Sequence, residues 1–180
     1  MIGLFRHVSI GADALHPVVW VDPSGLYYMG NHQDLARKGY NRSSVSTIIP
    51  SGADIIAAAG AAPDEQLATL GRAPHFSGGQ YADDMMHAAV DAYLAGDYAG
   101  ALGFIGNGSH AIADSFSHVG AAETPKGHIM ASKGARKGEC PDPDDPATNW
   151  GAYSNAAQAI TDYFNSFGML IGHAMLLASR

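Results

Sequence analysis

Residues 110–118 read His110-Ala-Ile-Ala-Asp114-Ser-Phe-Ser-His118. Three side chains able to bind a metal stand four residues apart. On an α-helix that spacing stacks them on one face, one per turn. Two imidazoles and a carboxylate then converge, a donor set suited to Zn²⁺ or another borderline first-row cation. The residues between them are small or apolar, so the segment is expected at one end of a central helix with its stripe facing inward. The competing reading is a satisfied core histidine paired with Asp114. Burying all three groups without a common partner costs on the order of 1–3 kcal/mol for each unsatisfied group, and a metal ion removes that cost.

The rest of the chain sets bounds on this centre. Its 180 residues suit one domain with a real core. Apolar residues make up 47% and charged residues 15%, which argues against disorder. The net charge of −7 disfavours a nucleic-acid binder that tracks phosphates with a basic stripe, but not a nuclease whose positive charge is metal. A single cysteine, Cys140, leaves no intrachain disulfide and no Cys-rich zinc knuckle, so zinc would bind through His and Asp. No apolar run reaches the roughly 18 residues of a membrane helix. Asp13 interrupts the N-terminal stretch, and no signal peptide is read there. The address stays open between the cytoplasm, a mature fragment and export by a route without a local signal.

The pattern predicts an all-α protein: an irregular N-terminal segment, 1–31, and one helical domain, 32–180. Val18-Val19-Trp20-Val21 allows a short strand, and Asp22-Pro23-Ser24-Gly25 is a turn. A helix capped by Asn31 is expected to stop at Gly39. An apolar segment over 45–59 is expected to break at Pro50 and Gly52. Gly60 to Pro63 is expected to end it and present Asp64 on a turn. Residues 71–80 read as loop. Helices follow over 82–94, ended by Gly96-Asp97, and from Tyr98 toward Phe116, where Gly103, Gly106 and Gly108 permit close helix approach. Residues 120–148 form a long loop rich in Gly, Pro and Lys. The last helix spans 150–178.

Further candidate ligands are His32, Asp64, His75 in Pro-His-Phe-Ser-Gly, and His128 in the long loop. Asp83, Asp84 and His87 read as a solvated helix face. His173, in Ile-Gly-His-Ala-Met, reads as a core histidine. Lys126, Lys133, Arg136 and Lys137 make a basic run that would steer a phosphate if it lay beside a metal site. No Ser-His-Asp order, P-loop or dinucleotide fingerprint competes.

The run from Ala88 to Val119 contains Ala-Tyr-Leu-Ala-Gly-Asp-Tyr, then Gly-Phe-Ile-Gly, then His110-x-x-x-Asp114 and His118. It resembles the core of the zinc-dependent phospholipase C family, a superfamily that also holds fungal single-strand-specific nucleases. The tail Asp-Ser-Phe-Ser-His is most similar to bacterial relatives in polymorphic toxins and heterokaryon-incompatibility-type proteins. The turn Asp-Pro-Ser-Gly-Leu is similar to the end of the conserved core in rearrangement-hotspot repeat proteins, just upstream of their toxin domains.

The resemblance implies an all-α bundle around a cluster of one to three Zn²⁺ ions, hydrolysing a phosphoric ester of a phospholipid or a nucleotide. It implies Asp64, His75, His110, Asp114 and His118 as ligands, with Asp64 bridging ions or acting as general base. His32 matches the early helix histidine, and His7 is the competing match. The family's amino-terminal tryptophan ligand corresponds to Trp20, which is internal here. Its late His-x-x-x-Glu or His-x-x-x-Asp pair reads His128-x-x-x-Ser132, so His128 pairs instead with Asp142. Two other functions stay open beside the phospholipase-like hydrolase: a metal-dependent single-strand nuclease and a non-catalytic, metal-stabilised binding module. The partner protein, if any, is unknown.

Overall fold

The computed structural model describes residues 29–65, 74, 79–117, 146–147 and 149–179. The described residues form six helices and no strand: α1 (Met29–Arg42), α2 (Val45–Ile48), α3 (Ala53–Glu65), α4 (Gly79–Leu94), α5 (Tyr98–Ser117) and α6 (Trp150–Ala178). None is long and apolar enough to cross a membrane. The expectations for 1–28, for most of 71–78, and for the long loop apart from Pro146 and Ala147 lie outside the described residues.

Four helices, α1, α3, α5 and α6, pack in a ring in which each touches the next. Outside it, α4 packs along α5 and more lightly on α6, and the single turn α2 ties α1 to α6. The core between them holds Leu35, Ile56, Leu102, Ile105, Ile160, Phe164 and Phe167, all essentially inaccessible to solvent. Burying aliphatic and aromatic side chains of this size contributes about 1.5–3 kcal/mol each.

Three sequence expectations need correction. The first helix does not stop at Gly39 but continues to Arg42, and it begins at Met29, which puts Asn31 inside it rather than at its cap. Gly39 is a packing residue: a Cβ there would stand 2.5 Å from Ile160 Cγ2 of α6. The apolar segment does break between Ile48 and Ala53, where Ser51 takes φ 67° and the Tyr40 hydroxyl accepts from Gly52 N–H at 2.8 Å. However, α3 then runs through Gly60 and Pro63 to Glu65, so Asp64 sits in the last helical turn and not on a turn beyond it. Pro63 thus lies inside the helix. Finally, His173 is exposed, not a core histidine.

The α4–α5 connection follows its chemistry closely. Gly96 takes φ +82°, Asp97 N–H donates to Ala92 O at 2.9 Å, and Gly96 N–H donates to Tyr93 O at 3.0 Å. This is a Schellman end, which needs a residue free to adopt the left-handed region. Asp97 then caps α5 by accepting Gly100 N–H at 2.8 Å.

Close helix approach explains Gly106 of α5. A Cβ on Gly106 would come 2.6 Å from Ala59 Cβ and 2.8 Å from the Ile56 carbonyl of α3. Gly103 differs, with nothing within 4 Å of where a methyl group would stand. Gly106→Ala is therefore expected to destabilise the fold by about 1–3 kcal/mol through overpacking. Gly103→Ala is expected to stabilise it by up to about 1 kcal/mol through helix propensity. Urea denaturation of the two variants checks this pair of opposite signs.

Candidate metal centre

The centre is built where three helix ends meet. His32 lies near the start of α1, Asp64 in the last turn of α3, and His110 and Asp114 one turn apart toward the end of α5. The side chains of all four are no more than 4% exposed. Nε2 of His32 stands 3.3 Å from Asp114 Oδ1 and 3.9 Å from Asp64 Oδ2. Nε2 of His110 stands 3.2 Å from Asp114 Oδ2 and 3.4 Å from Asp64 Oδ1. Each carboxylate thus faces both imidazoles. His32, His110 and Asp114 each offer a donor atom within 4.8 Å of the others, which makes a buried His/His/Asp group able to hold a metal ion.

These separations suit a common ion. Zn²⁺ sits about 2.0–2.1 Å from nitrogen and carboxylate oxygen, so neighbouring donors of a tetrahedral site are about 3.3–3.4 Å apart. The donors are all nitrogen and oxygen, which fits Zn²⁺ or another borderline cation and disfavours ions that demand thiolate.

The backbone of α3 orients one of the imidazoles. His110 Nδ1 lies 2.9 Å from the carbonyl oxygen of Gly60, so the ring donates its Nδ1–H there and turns Nε2 to the carboxylates. The rings of His32 and His110 stack, centroids 3.9 Å apart and tilted by 23°. Burial alone would push His110 down. The Asp114 carboxylate, through its charge and hydrogen bond, and then the charge of Asp64 and the Gly60 carbonyl, instead raise it to about 9. Without a metal, an imidazolium at His110 supplies positive charge between the two acids.

Sequence reasoning did not find two neighbours of this centre. One is Gly60, whose carbonyl acts through the backbone and carries no side-chain signal. The other is a cluster of Asp34, Lys38 and Tyr153 at the same end of the bundle. Lys38 Nζ lies 2.6 Å from Asp34 Oδ2, and the Tyr153 hydroxyl donates to the same carboxylate, joining α6 to α1 beside His32. The i, i+4 spacing of Asp34 and Lys38 is visible in the sequence. Tyr153, more than a hundred residues away, carries no such signal.

His75, His118, His128 and Asp142 lie outside the described residues, as do His7 and Trp20. His118 follows directly on Ser117, the last residue of α5. Asp83, Asp84 and His87 are exposed, in keeping with a solvated helix face. No family model, curated protein or solved structure matches this chain.

The raised His110 value has a definite sign. In the metal-free protein its ionic contribution is fully present below the ordinary histidine pKa of about 6.5, and it is lost as pH rises through about 9. The metal-stripped protein is thus expected to melt lower at pH 9 than at pH 6.5. A divalent ion must displace the His110 proton, so its affinity is expected to rise with pH across the same window. Melting curves and zinc titrations at several pH values, with proton release read from buffers of different ionisation enthalpy, check both.

Proposed function

We propose that the protein is a zinc-dependent hydrolase of phosphoric esters, similar in chemistry to the phospholipase C and single-strand nuclease superfamily. The observation that carries this reading is the convergence of His32, Asp64, His110 and Asp114, with imidazole–carboxylate separations of 3.2–3.9 Å, in a buried end of a helical bundle. Their order along the chain follows the ligand order of the families it resembles. Zn²⁺, when bound, lowers the pKa of water toward about 7 and stabilises negative charge on phosphoryl oxygens.

The four side chains divide the work unequally in this reading. Asp114, closest to both imidazoles, holds the ion. Asp64, with the longest separation at 3.9 Å, is the carboxylate placed to take a proton as general base or to bridge to a further ion. His75, His118, His128 and Asp142 would complete second and third positions. The net charge of −7 favours a phospholipid or a small phosphoester over a nucleic-acid strand. The similarity of its N-terminal turn and of its Asp-Ser-Phe-Ser-His tail to toxin proteins supports a toxin module of a larger secreted protein.

A second reading rests on a specific observation. His32, Asp64, His110 and Asp114 are already four buried donors, and a closed four-ligand set is the mark of a structural zinc site. Metal content separates the two. Two or three ions per chain support the hydrolase, and one ion without hydrolysis supports the structural module.

Asp114→Asn is the decisive variant, because it keeps the shape and removes the charge. It is expected to lose one bound ion and more than the 10–100-fold of activity typical of a group that merely orients a ligand. Hydrolysis of a chromogenic phosphodiester, phosphatidylcholine and single-stranded DNA, with and without chelator, supplies the measurement. Wild-type rates in a folded Asp114→Asn protein would remove the metallohydrolase.

A further inference from the structure

The three helices that carry the four donors touch one another at Gly60, a buried residue of α3. A Cβ there would stand 2.9 Å from Ala36 Cβ and 3.4 Å from the carbonyl oxygen of His32, both on α1, and 3.5 Å from Ser109 Oγ on α5. The Gly60 carbonyl in turn receives the Nδ1–H of His110 at 2.9 Å. One glycine therefore lies against the backbone of one imidazole residue and the ring of the other.

The register of the helices places this contact one turn below the donors. His32 and Ala36, Gly60 and Asp64, and His110 and Asp114 are each four residues apart, so each pair shares a helix face. His32 faces Asp64 at 3.9 Å, and in the next turn Ala36 meets Gly60. The spacing of α1 and α3 at Ala36 and Gly60 thus governs how far His32 reaches toward the two carboxylates.

The distances show how little room there is. Carbon atoms in contact rest about 3.5–4.0 Å apart, so a methyl group on Gly60 would press on Ala36 by about 0.6–1.1 Å. Ala36 Cβ has no rotamer by which to step aside, and α1 itself would have to move. The close approach at Gly106 and the hydrogen bond from His110 hold α5 to α3, so Asp64, His110 and Asp114 would stay together while His32 is drawn away. A binding constellation tolerates displacements of only about 0.5 Å.

Taking the centre as a metal site, whatever its reaction, we propose that Gly60 is its positioning residue. Its missing side chain sets the reach of His32, and its carbonyl sets which nitrogen His110 presents.

Zinc titration of the full chain by calorimetry at fixed pH tests this. Gly60→Ala is expected to weaken zinc binding by about 10–100-fold, the range for a group that orients a ligand. Gly60→Ala combined with Ala36→Gly makes room for the added methyl group and is expected to restore most of the lost affinity. The double variant is nevertheless expected to melt below the wild type, because it loses a buried methyl group and carries a helical glycine in place of Ala36. Recovery of affinity without recovery of stability is a signature that a merely structural role would not give. Gly168→Ala, a methyl group added where the Ser44 hydroxyl can rotate away, is expected to bind zinc as the wild type does. If Gly60→Ala does not fold, the double variant decides alone: wild-type affinity supports the proposal and weak binding overturns it. Wild-type affinity in a folded Gly60→Ala protein, a double variant that stays weak, or an equal loss in Gly168→Ala would each overturn it. A wild-type chain that binds no zinc would remove the metal centre itself, and the proposal with it.

Discussion

Two carboxylates and two imidazoles share one buried end of this bundle, and their mutual electrostatics set the terms for everything around them. Removing two acids from water is tolerable only where positive charge stands between them. The chain can supply it in two ways, by a proton on His110 or by a divalent cation. Both occupy the same small region, so proton and metal are direct competitors. That competition makes the centre a place where acidity, metal supply and the packing of three helices are coupled.

The packing of α3 against α5 shows how closely backbone and chemistry are joined. Gly106 lets the two helices approach to the point where a methyl group would collide with Ala59. At that separation the Gly60 carbonyl reaches His110 Nδ1 and fixes which nitrogen faces the acids. A small shift of α3 would weaken the packing and release the imidazole together. The Asp34–Lys38–Tyr153 cluster does comparable work on the other side, holding the first turn of α6 to α1 close to His32.

The helical framework is readable from the sequence because its periodicity and stop signals agree. Gly96-Asp97 ends one helix and starts the next by well-defined chemistry, and the i, i+4 pair His110 and Asp114 needs only helical geometry to converge. The errors have a common origin. Gly39, Gly60 and Pro63 look like local punctuation in a short window, whereas the first two are small so that a neighbouring helix can come close, and α3 runs through the third. Tertiary contact, invisible in such a window, overrides the local signal. His173 fails the other way: apolar neighbours in sequence imply burial only when another element covers them. His32 and Asp64 come from separate helices, so no spacing rule within the sequence ties them to His110 and Asp114.

The Schellman turn between α4 and α5 has a consequence for the order in which the molecule assembles. It joins two long helices through a few residues, so their contacts close short loops and cost little chain entropy to form. The acids and imidazoles belong to the opposite category: His32, Asp64 and His110 are each more than thirty residues from the next. Bringing them together closes far longer loops than the α4–α5 turn does, so the candidate metal centre is the part of the bundle whose assembly costs the most chain entropy.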